Sequence, residues 1–381
     1  VATLKVEDFW TQSPVKATFD GRMHLSGSVK QPQAQLVLQG RGITTLAGPI
    51  GDAELKAKFA NGVCQVDALD ITRGKTAVHL SGRVQVLALD SFQMLSDPEF
   101  QLDLAGKQIE MSDYTDQVSG TIDIRTQLEG TVGDPRGTLA VLVDKIAFQG
   151  QPLDSAALDA VVGDRKIRLA PLRIRGLAGD EINARGWVAF DQSFDLSIGS
   201  DGWRLTQIGW LKDVGEVAGD LRFDFTGSGT LSAPVIDGNM QVSGLTLNRQ
   251  PFKDISIDIA FRDQRAQLHA TQAFDLEAAY ALDSGDFKVA AVFNRTQLKP
   301  YFALTGQADF SGMLSGTVKA RGNRHRLEQA TAQMDVALLE LYYGAEELVR
   351  TQNLKGELKD RRFVLPESSW SILEQGHLNL Q

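Results

Sequence analysis

Cysteine is almost missing from this 381-residue chain: Cys64 stands alone. A single thiol excludes an intramolecular disulfide and a thiolate metal cluster, and leaves the redox compartment open. Histidine is scarce as well. His24, His79, His269, His325 and His377 are isolated from one another, with no i, i+4 or HxH spacing that would converge on a metal. Basic excess is lacking, since 39 Lys and Arg face 48 Asp and Glu for a net charge of -9, and no basic stripe recurs along the chain. That balance argues against a nucleic-acid partner. Long apolar runs are missing too, because stretches such as Leu139–Val143 and Val86–Leu89 fall far short of the ~18 residues a helical membrane span needs. Aromatic residues make up only 7%, unlike a helical enzyme domain.

Catalytic signatures are equally thin. No GxSxG elbow occurs. The glycine clusters Gly40-Arg41-Gly42 and Gly227-Ser228-Gly229 fail the full GxGxxG pattern and precede no helix that would receive a phosphate, so they read as turn or bulge glycines. The expectation is a protein that is not an enzyme, holds no metal and needs no cofactor.

What is present is repetition. LSGSVKQPQAQL (Leu25–Leu36) returns as LEGTVGDPRGTL (Leu128–Leu139), as GSGTLSAPVIDG (Gly227–Gly238) and as LSGTVKARG (Leu314–Gly322). The second glycines of the copies, Gly27, Gly130, Gly229 and Gly316, recur at intervals of 103, 99 and 87 residues, dividing the chain into approximate units 1–107, 108–205, 206–295 and 296–381. Each copy carries a strand end, a polar turn that in three copies holds Pro32, Pro135 or Pro234, and the start of a new strand. The fourth departs most: Arg321, Arg324, His325 and Arg326 stand in place of the proline turn. This basic cluster reads as a solvated loop, with lipid headgroups or an acidic partner as the alternative.

Between the repeated turns the hydrophobic period is two. In KDISIDIAFRD, Ile255, Ile257, Ile259 and Phe261 alternate with Asp254, Ser256, Asp258, Ala260 and Arg262, and the same alternation runs through GDLRFDFTG, GTIDIRTQLEG, EFQLDLAG and FKVAAVF. Connections such as Ala60-Asn61-Gly62, Gly163-Asp164-Arg165 and Arg262-Asp263-Gln264 are too short for a parallel crossover, which needs about a dozen residues, so neighbours are expected to be antiparallel. Short helices or irregular linkers are expected around 208–217 and 298–304. Trp187, Trp203 and Trp210 each follow a glycine, and packing in a core or groove is expected of them rather than a carbohydrate platform. The chain begins at Val1 and ends at HLNLQ, partway through an expected strand, and so reads as a piece of a longer protein whose anchor and terminal domains lie elsewhere.

The L-x-G-T-V, turn, P-x-x-G-x-L pattern, followed by strand series such as LNRQPFKDISIDIAFRDQRAQLHA (Leu247–Ala270) and AFQGQPLDSAALDAVVGDRKIRLAPLRIRG (Ala147–Gly176), resembles the TamB-like translocation-and-assembly proteins of the AsmA-like, repeating β-groove superfamily. The resemblance implies an elongated, twisted antiparallel sheet curled into an open trough, all-β with one or two short linker helices, from the periplasmic middle of a protein that is anchored in the inner membrane and reaches the outer membrane. It implies carriage of phospholipid or other acyl lipids between the membranes, and a TamA-like outer-membrane barrel partner engaged by regions outside this chain. Candidate groove residues are Ile122, Ile124, Leu139, Val141, Val143, Leu221, Phe223, Phe225, Ile255, Ile257, Ile259 and Phe261. The alternatives are a closed β-solenoid scaffold or adhesin, whose apolar face would be filled, and a chaperone-like factor in outer-membrane protein assembly, which would work through sheet edges.

Overall fold

A strict two-residue alternation can satisfy a sheet only if every hairpin keeps its neighbours in register, because a slip of one residue would turn the apolar side chains into water. The described strands meet this condition between the bulges at which the register shifts. A computed structural model describes residues 2–5, 15–28, 31–45, 48–88, 93–115, 117–148, 151–209, 211, 215–304, 307, 309–365, 368–372 and 376–380. It divides into two units, Val1–Gln192 and Ser193–Gln381.

The first unit contains β1 (Ala2–Lys5), β2 (Val15–Ser28), β3 (Gln31–Thr45), β4 (Gly48–Ala60), β5 (Val63–Arg73), β6 (Thr76–Gln85), β7 (Leu87–Ala88), β8 (Gln93–Met94), β9 (Glu99–Glu110), β10 (Val118–Thr131), β11 (Pro135–Phe148), β12 (Gln151–Pro152), β13 (Ser155–Gly163), β14 (Lys166–Arg175) and β15 (Glu181–Ala189). The second contains β16 (Ser193–Arg204), β17 (Val217–Thr230), β18 (Ala233–Leu247), β19 (Gln250–Pro251), β20 (Ile255–Arg262), β21 (Arg265–Thr271), β22 (Phe274–Ala281), β23 (Asp286–Gln297), α1 (Lys299–Leu304), β24 (Phe310–Asn323), β25 (Thr331–Tyr343), β26 (Glu346–Lys359), β27 (Arg362–Val364), β28 (Ser368–Ile372) and β29 (Gly376–Leu380). The fold is all-β. Within each unit the long strands pair antiparallel with their chain neighbours, β6 passing over the small β7–β8 ribbon to β9. Among the described residues β1 does not pair with β15, nor β16 with β29, so neither sheet closes into a barrel.

The linkers sit close to where the spacing placed them. Leu205–Gln207 forms a single 3-10 turn and Lys299–Leu304 the helix α1. Many connections between strands are two-residue hairpin turns with both central residues at positive φ: Asn61-Gly62, Asp164-Arg165, Asn248-Arg249, Asp263-Gln264 and Asp360-Arg361. This is the type I′ turn, whose twist matches that of the flanking strands, and the leading Asn or Asp is the residue that tolerates the left-handed region best.

The repeated turns share one geometry. Gly27, Gly130 and Gly229 have φ of 85°, 110° and 102°, and stand opposite Pro32, Pro135 and Pro234. In each, a hydroxyl accepts the amide three residues on, at the start of the new strand or just before it: Ser28 from Gln31 at 3.1 Å, Thr131 from Asp134 at 3.2 Å and Thr230 from Ala233 at 3.2 Å. The fourth copy differs, because Gly316 faces Val336 at a bulge and its strand runs on to Asn323 before turning. Arg321 therefore lies inside β24, while Arg324 bonds the Tyr280 hydroxyl at 3.1 Å from the turn beyond it.

At the other end of the strands, bulges build small local cores. Gly42, Gln108, Gly244 and Arg295 all take positive φ, and each donates its amide to a side chain of an adjacent strand or the loop beside it: Asp52 at 2.9 Å, Asp123 at 2.8 Å, Asp254 at 3.0 Å and Ser315 at 3.0 Å. A bulge re-aims the next side chain. Accordingly Ile43, Thr296 and, after the positive-φ residues Lys145 and Asn353, Ile146 and Leu354 are buried, with Trp203 and Leu205 filling the same end of the second unit.

Two measurements test these local arguments. Gln264→Gly supplies the Asp-Gly turn that the geometry favours, and should raise the unfolding free energy by up to ~1 kcal/mol in urea melts. The Asp97 carboxyl, hydrogen-bonded first by the Thr131 hydroxyl and then by the Gly133 amide at 2.8 Å, is held below the usual carboxylate range. A depressed folded-state value means that its contribution is complete above the unfolded pKa of about 3.9 and is lost as pH falls through the folded value. Melting temperatures of the native chain and of Asp97→Asn should therefore differ at neutral pH and converge as the pH falls below the depressed folded-state value.

Candidate functional site

Cross-strand partners share a face, so the registers assign every side chain. In the first unit one continuous line runs Gly21, Leu38, Leu55, Leu69, Leu80, Leu104, Thr126, Leu139, Ala160, Leu169, Gly186 across eleven strands. In the second, Ile198, Phe225, Gly238, Ile259, Leu268, Ala278, Val289, Ala320 are joined in the same way from β16 to β24. Parallel lines flank both, such as Phe223, Met240, Ile257, Ala270, Leu276, Ala291, Val318, Met334.

All twelve residues singled out from the sequence fall on these apolar faces. Ile122, Ile124, Leu139, Val141 and Val143 lie together on β10 and β11, with Ile122 opposite Val143 and Ile124 opposite Val141. Leu221, Phe223, Phe225, Ile255, Ile257, Ile259 and Phe261 lie together on β17 and β20, bridged by Val242, Met240, Gly238 and Ile236 of β18. Every one is half-buried, neither sealed nor free. A filled core would bury them completely. Further out the face is open, with Met23 65% and Leu25 67% exposed on β2.

The total surface leads to the same conclusion. Two closed globular units, each of about half the 41.5 kDa mass, would together expose roughly 18,000 Å². The chain exposes 24119 Å². Glycines on the apolar face are roofed by rings from the next strand: Phe19 over Gly40, Phe225 over Gly238 and Phe287 over Gly322. The ring supplies the contact that glycine lacks and keeps the face continuous.

Concavities lie on the opposite, polar face, a feature the alternation alone did not reveal. In the second unit a groove of about 1210 Å³ is lined mainly by polar-face residues such as Asp258, His269, Lys288 and Arg321, and the lining also includes Ile259, Leu268 and Val289 of the apolar line that runs between them. A smaller one of about 400 Å³ in the first unit is lined by His79, Asp103, Arg125 and Gln127. His79 bonds Asp70 at 2.6 Å and is exposed, as are His24, His269 and His325; no group of metal-ligating side chains occurs among the described residues. Trp203 is buried as expected, but Trp187 is on the polar face beneath the Lys166 ammonium, 3.8 Å from its ring. The position after Gly186 in a two-residue period puts it there. Trp210 lies outside the described residues.

No helix among the described residues is long and apolar enough to cross a membrane. No family model, curated protein or solved structure matches the chain.

The ring roof is testable. A side chain at Gly238 would have to occupy the space of the Phe225 ring. Gly238→Val should destabilise the second unit by about 1–3 kcal/mol through overpacking, measured by urea denaturation, and Phe225→Leu in the same chain should restore part of the loss.

Proposed function

We propose that the chain is a passive conduit for lipid acyl chains, which lie along the apolar face of the sheet. The observation that carries this reading is the continuity of that face: lines of apolar residues, interrupted in the first unit by Thr126, cross successive strands of each unit, yet all their members except Ala160 keep part of their surface exposed. Removing a methylene from water is worth about 0.8 kcal/mol. An acyl chain of a dozen or more carbons would gain strongly by covering such a face, and with similar side chains at every step it has little reason to prefer one strand over the next. That combination favours movement along the sheet over tight binding at one place. An uncovered apolar face of this extent also exceeds what soluble surfaces ordinarily leave bare.

Hydrophobic sliding requires no acid, base or nucleophile, in keeping with the proposal that the chain is not an enzyme. The wider setting comes with the resemblance of its repeated turns to the TamB-like proteins: a periplasmic stretch carrying phospholipid between two membranes, working beside an outer-membrane barrel partner. The closed-scaffold alternative requires a filled apolar face, and the half-burial of all twelve candidate residues favours the open reading.

Uptake of a fluorescent fatty acid by the purified chain tests the proposal. Ile257 stands at the centre of its face between Met240 and Ala270. Ile257→Asp should fold, because an open face leaves its carboxylate hydrated, while uptake falls because an acyl chain crossing it must strip that water at several kcal/mol. Gln241→Asp places the same charge on the exposed polar face of β18 and should leave uptake unchanged. Loss of folding in Ile257→Asp alone, at the ~3–5 kcal/mol expected of a buried unpaired charge, would identify a closed core and remove the conduit.

A further inference from the structure

The apolar face of the second unit has two unlike margins. At the bulge end it is built over: Trp203, Leu205 and Thr296 are buried there, and α1 follows β23 with Tyr301 edge-on to Phe252 at 5.6 Å, Phe302 5.8 Å from Phe310, and Phe310 5.2 Å from Tyr343. At the end of the repeated turns the strands stop at hairpins. The outermost apolar line on that side, Ile236, Phe261, Ala266, Tyr280, Phe287 and Gly322, stays half-buried from β18 to β24. Tyr280 alone in this line carries a polar group. A lipid lying on the face must keep its head group off the apolar lines, where it would lose its water without gaining a partner, and the bulge margin is filled by side chains. The margin of the repeated turns is left for it.

At that margin the Tyr280 hydroxyl accepts from Arg324 Nη1 at 3.1 Å. Because the Tyr280 ring belongs to the apolar line, this bond brings the guanidinium to the edge of the apolar face. Two further contacts fix it there: Arg324 Nε donates to His325 Nε2 at 3.2 Å, and the Arg324 amide donates to the Gly285 carbonyl at 2.9 Å. Gly285 has φ of 77°, and a Cβ on it would stand 3.1 Å from Arg324 Cγ and 3.0 Å from the His325 ring, so glycine is what lets the two turns close on each other.

The phenol is neutral, and so is an imidazole that accepts through Nε2, so neither offsets the charge of Arg324. Carboxylates of the adjoining hairpin are engaged elsewhere: Asp286 accepts from Asn323 at 2.7 Å and from Ser284 at 2.8 Å, and Asp283 accepts the Ser284 amide at 2.7 Å. The remaining guanidinium N–H groups and the Tyr280 proton are left as donors, a set that suits phosphate oxygens. Leu282 and Leu327, on the same two turns, are 49% and 61% exposed. A free anion would leave these leucines bare, whereas the glycerol and first methylenes of a lipid would cover them. This company separates Arg324 from an arginine such as Arg222, which lies opposite Gln241 on the other face of the sheet.

We infer that Tyr280 and Arg324 form a head-group site that binds the phosphate of an anionic glycerolipid whose acyl chains lie along the neighbouring apolar lines. The inference rests on the acyl-chain reading above and adds to it a place where a sliding lipid pauses.

Binding of two fluorescent lipids to the whole chain tests it: a phosphatidic acid and the diacylglycerol with the same acyl chains, with inorganic phosphate as competitor. Phosphatidic acid should bind at least fivefold tighter than diacylglycerol, and the difference should shrink as salt rises. Arg324→Gln should abolish the preference by weakening phosphatidic acid alone, and Tyr280→Phe, which keeps the ring in its line, should remove part of it. Arg222→Gln takes the same charge from the polar face and should change neither lipid. Equal affinity for the two lipids, or a preference that survives Arg324→Gln, would overturn the head-group site and leave acyl-chain carriage standing. An equal loss in Arg222→Gln would reduce the effect to net charge, and displacement by inorganic phosphate at matching concentration would reduce it to a free-anion contact; either overturns the site. Binding of neither lipid would remove the site and the conduit together. Should Arg324→Gln fail to fold, full preference in Tyr280→Phe overturns the site in its place.

Discussion

Everything in this molecule depends on backbone register. With a side-chain period of two, a single uncorrected slip between any two strands would carry apolar residues to the polar face for the rest of the sheet. The chain does depart from simple pairing in many places, at Gly40/Ile43, Ile122/Ile124 and Phe293/Thr296 among others, yet the apolar lines pass through without changing face. These three bulges sit toward strand ends, where the displaced residues are absorbed by a positive-φ residue and an amide bond to a nearby Asp or Ser, while others such as Leu158/Ala160 and Ser315/Gly316 lie mid-strand. Positive-φ residues also precede four of the buried side chains, Ile43, Ile146, Thr296 and Leu354. Full burial is thus confined to a few positions, and the broad apolar face is left half-buried.

Much of this was legible in the sequence because it is local. Ile255, Ile257, Ile259 and Phe261 announce a strand without reference to any other segment, and Gly27, Gly130 and Gly229 announce a turn because no other residue fits the backbone there without strain. The antiparallel order followed from loops of two residues. What could not be read is set by partners distant along the chain or by backbone states that ordinary residues adopt. Gln108, Lys145 and Arg295 occupy the left-handed region with no compositional mark. The fourth turn lies beyond Asn323 because β24 continues past the repeated glycine.

The polar groove was hidden for the same reason. Lys288 and Arg321 are far apart in sequence, and only the pairing of β23 with β24 sets them side by side. The basic residues noticed together in the sequence, Arg321 and Arg324 to Arg326, are in fact separated, one turned into the groove and the others held at the turn. Adjacency in sequence was a poor guide to adjacency in space, and the sheet supplied the missing coordinate.

The hairpin-by-hairpin connectivity also bears on how the chain acquires its structure. Each long strand bonds to the strands immediately before and after it in sequence within its unit, so each new pairing closes only a short loop. Sheets that must wait for distant segments fold slowly, whereas here a nucleus at any type I′ turn can extend in both directions as successive segments arrive. Growth of this kind has no preferred final length. Pairs of strands could be gained or lost over evolutionary time with only the two adjoining seams disturbed, which makes the span of such a sheet adjustable without redesign of the parts already in place.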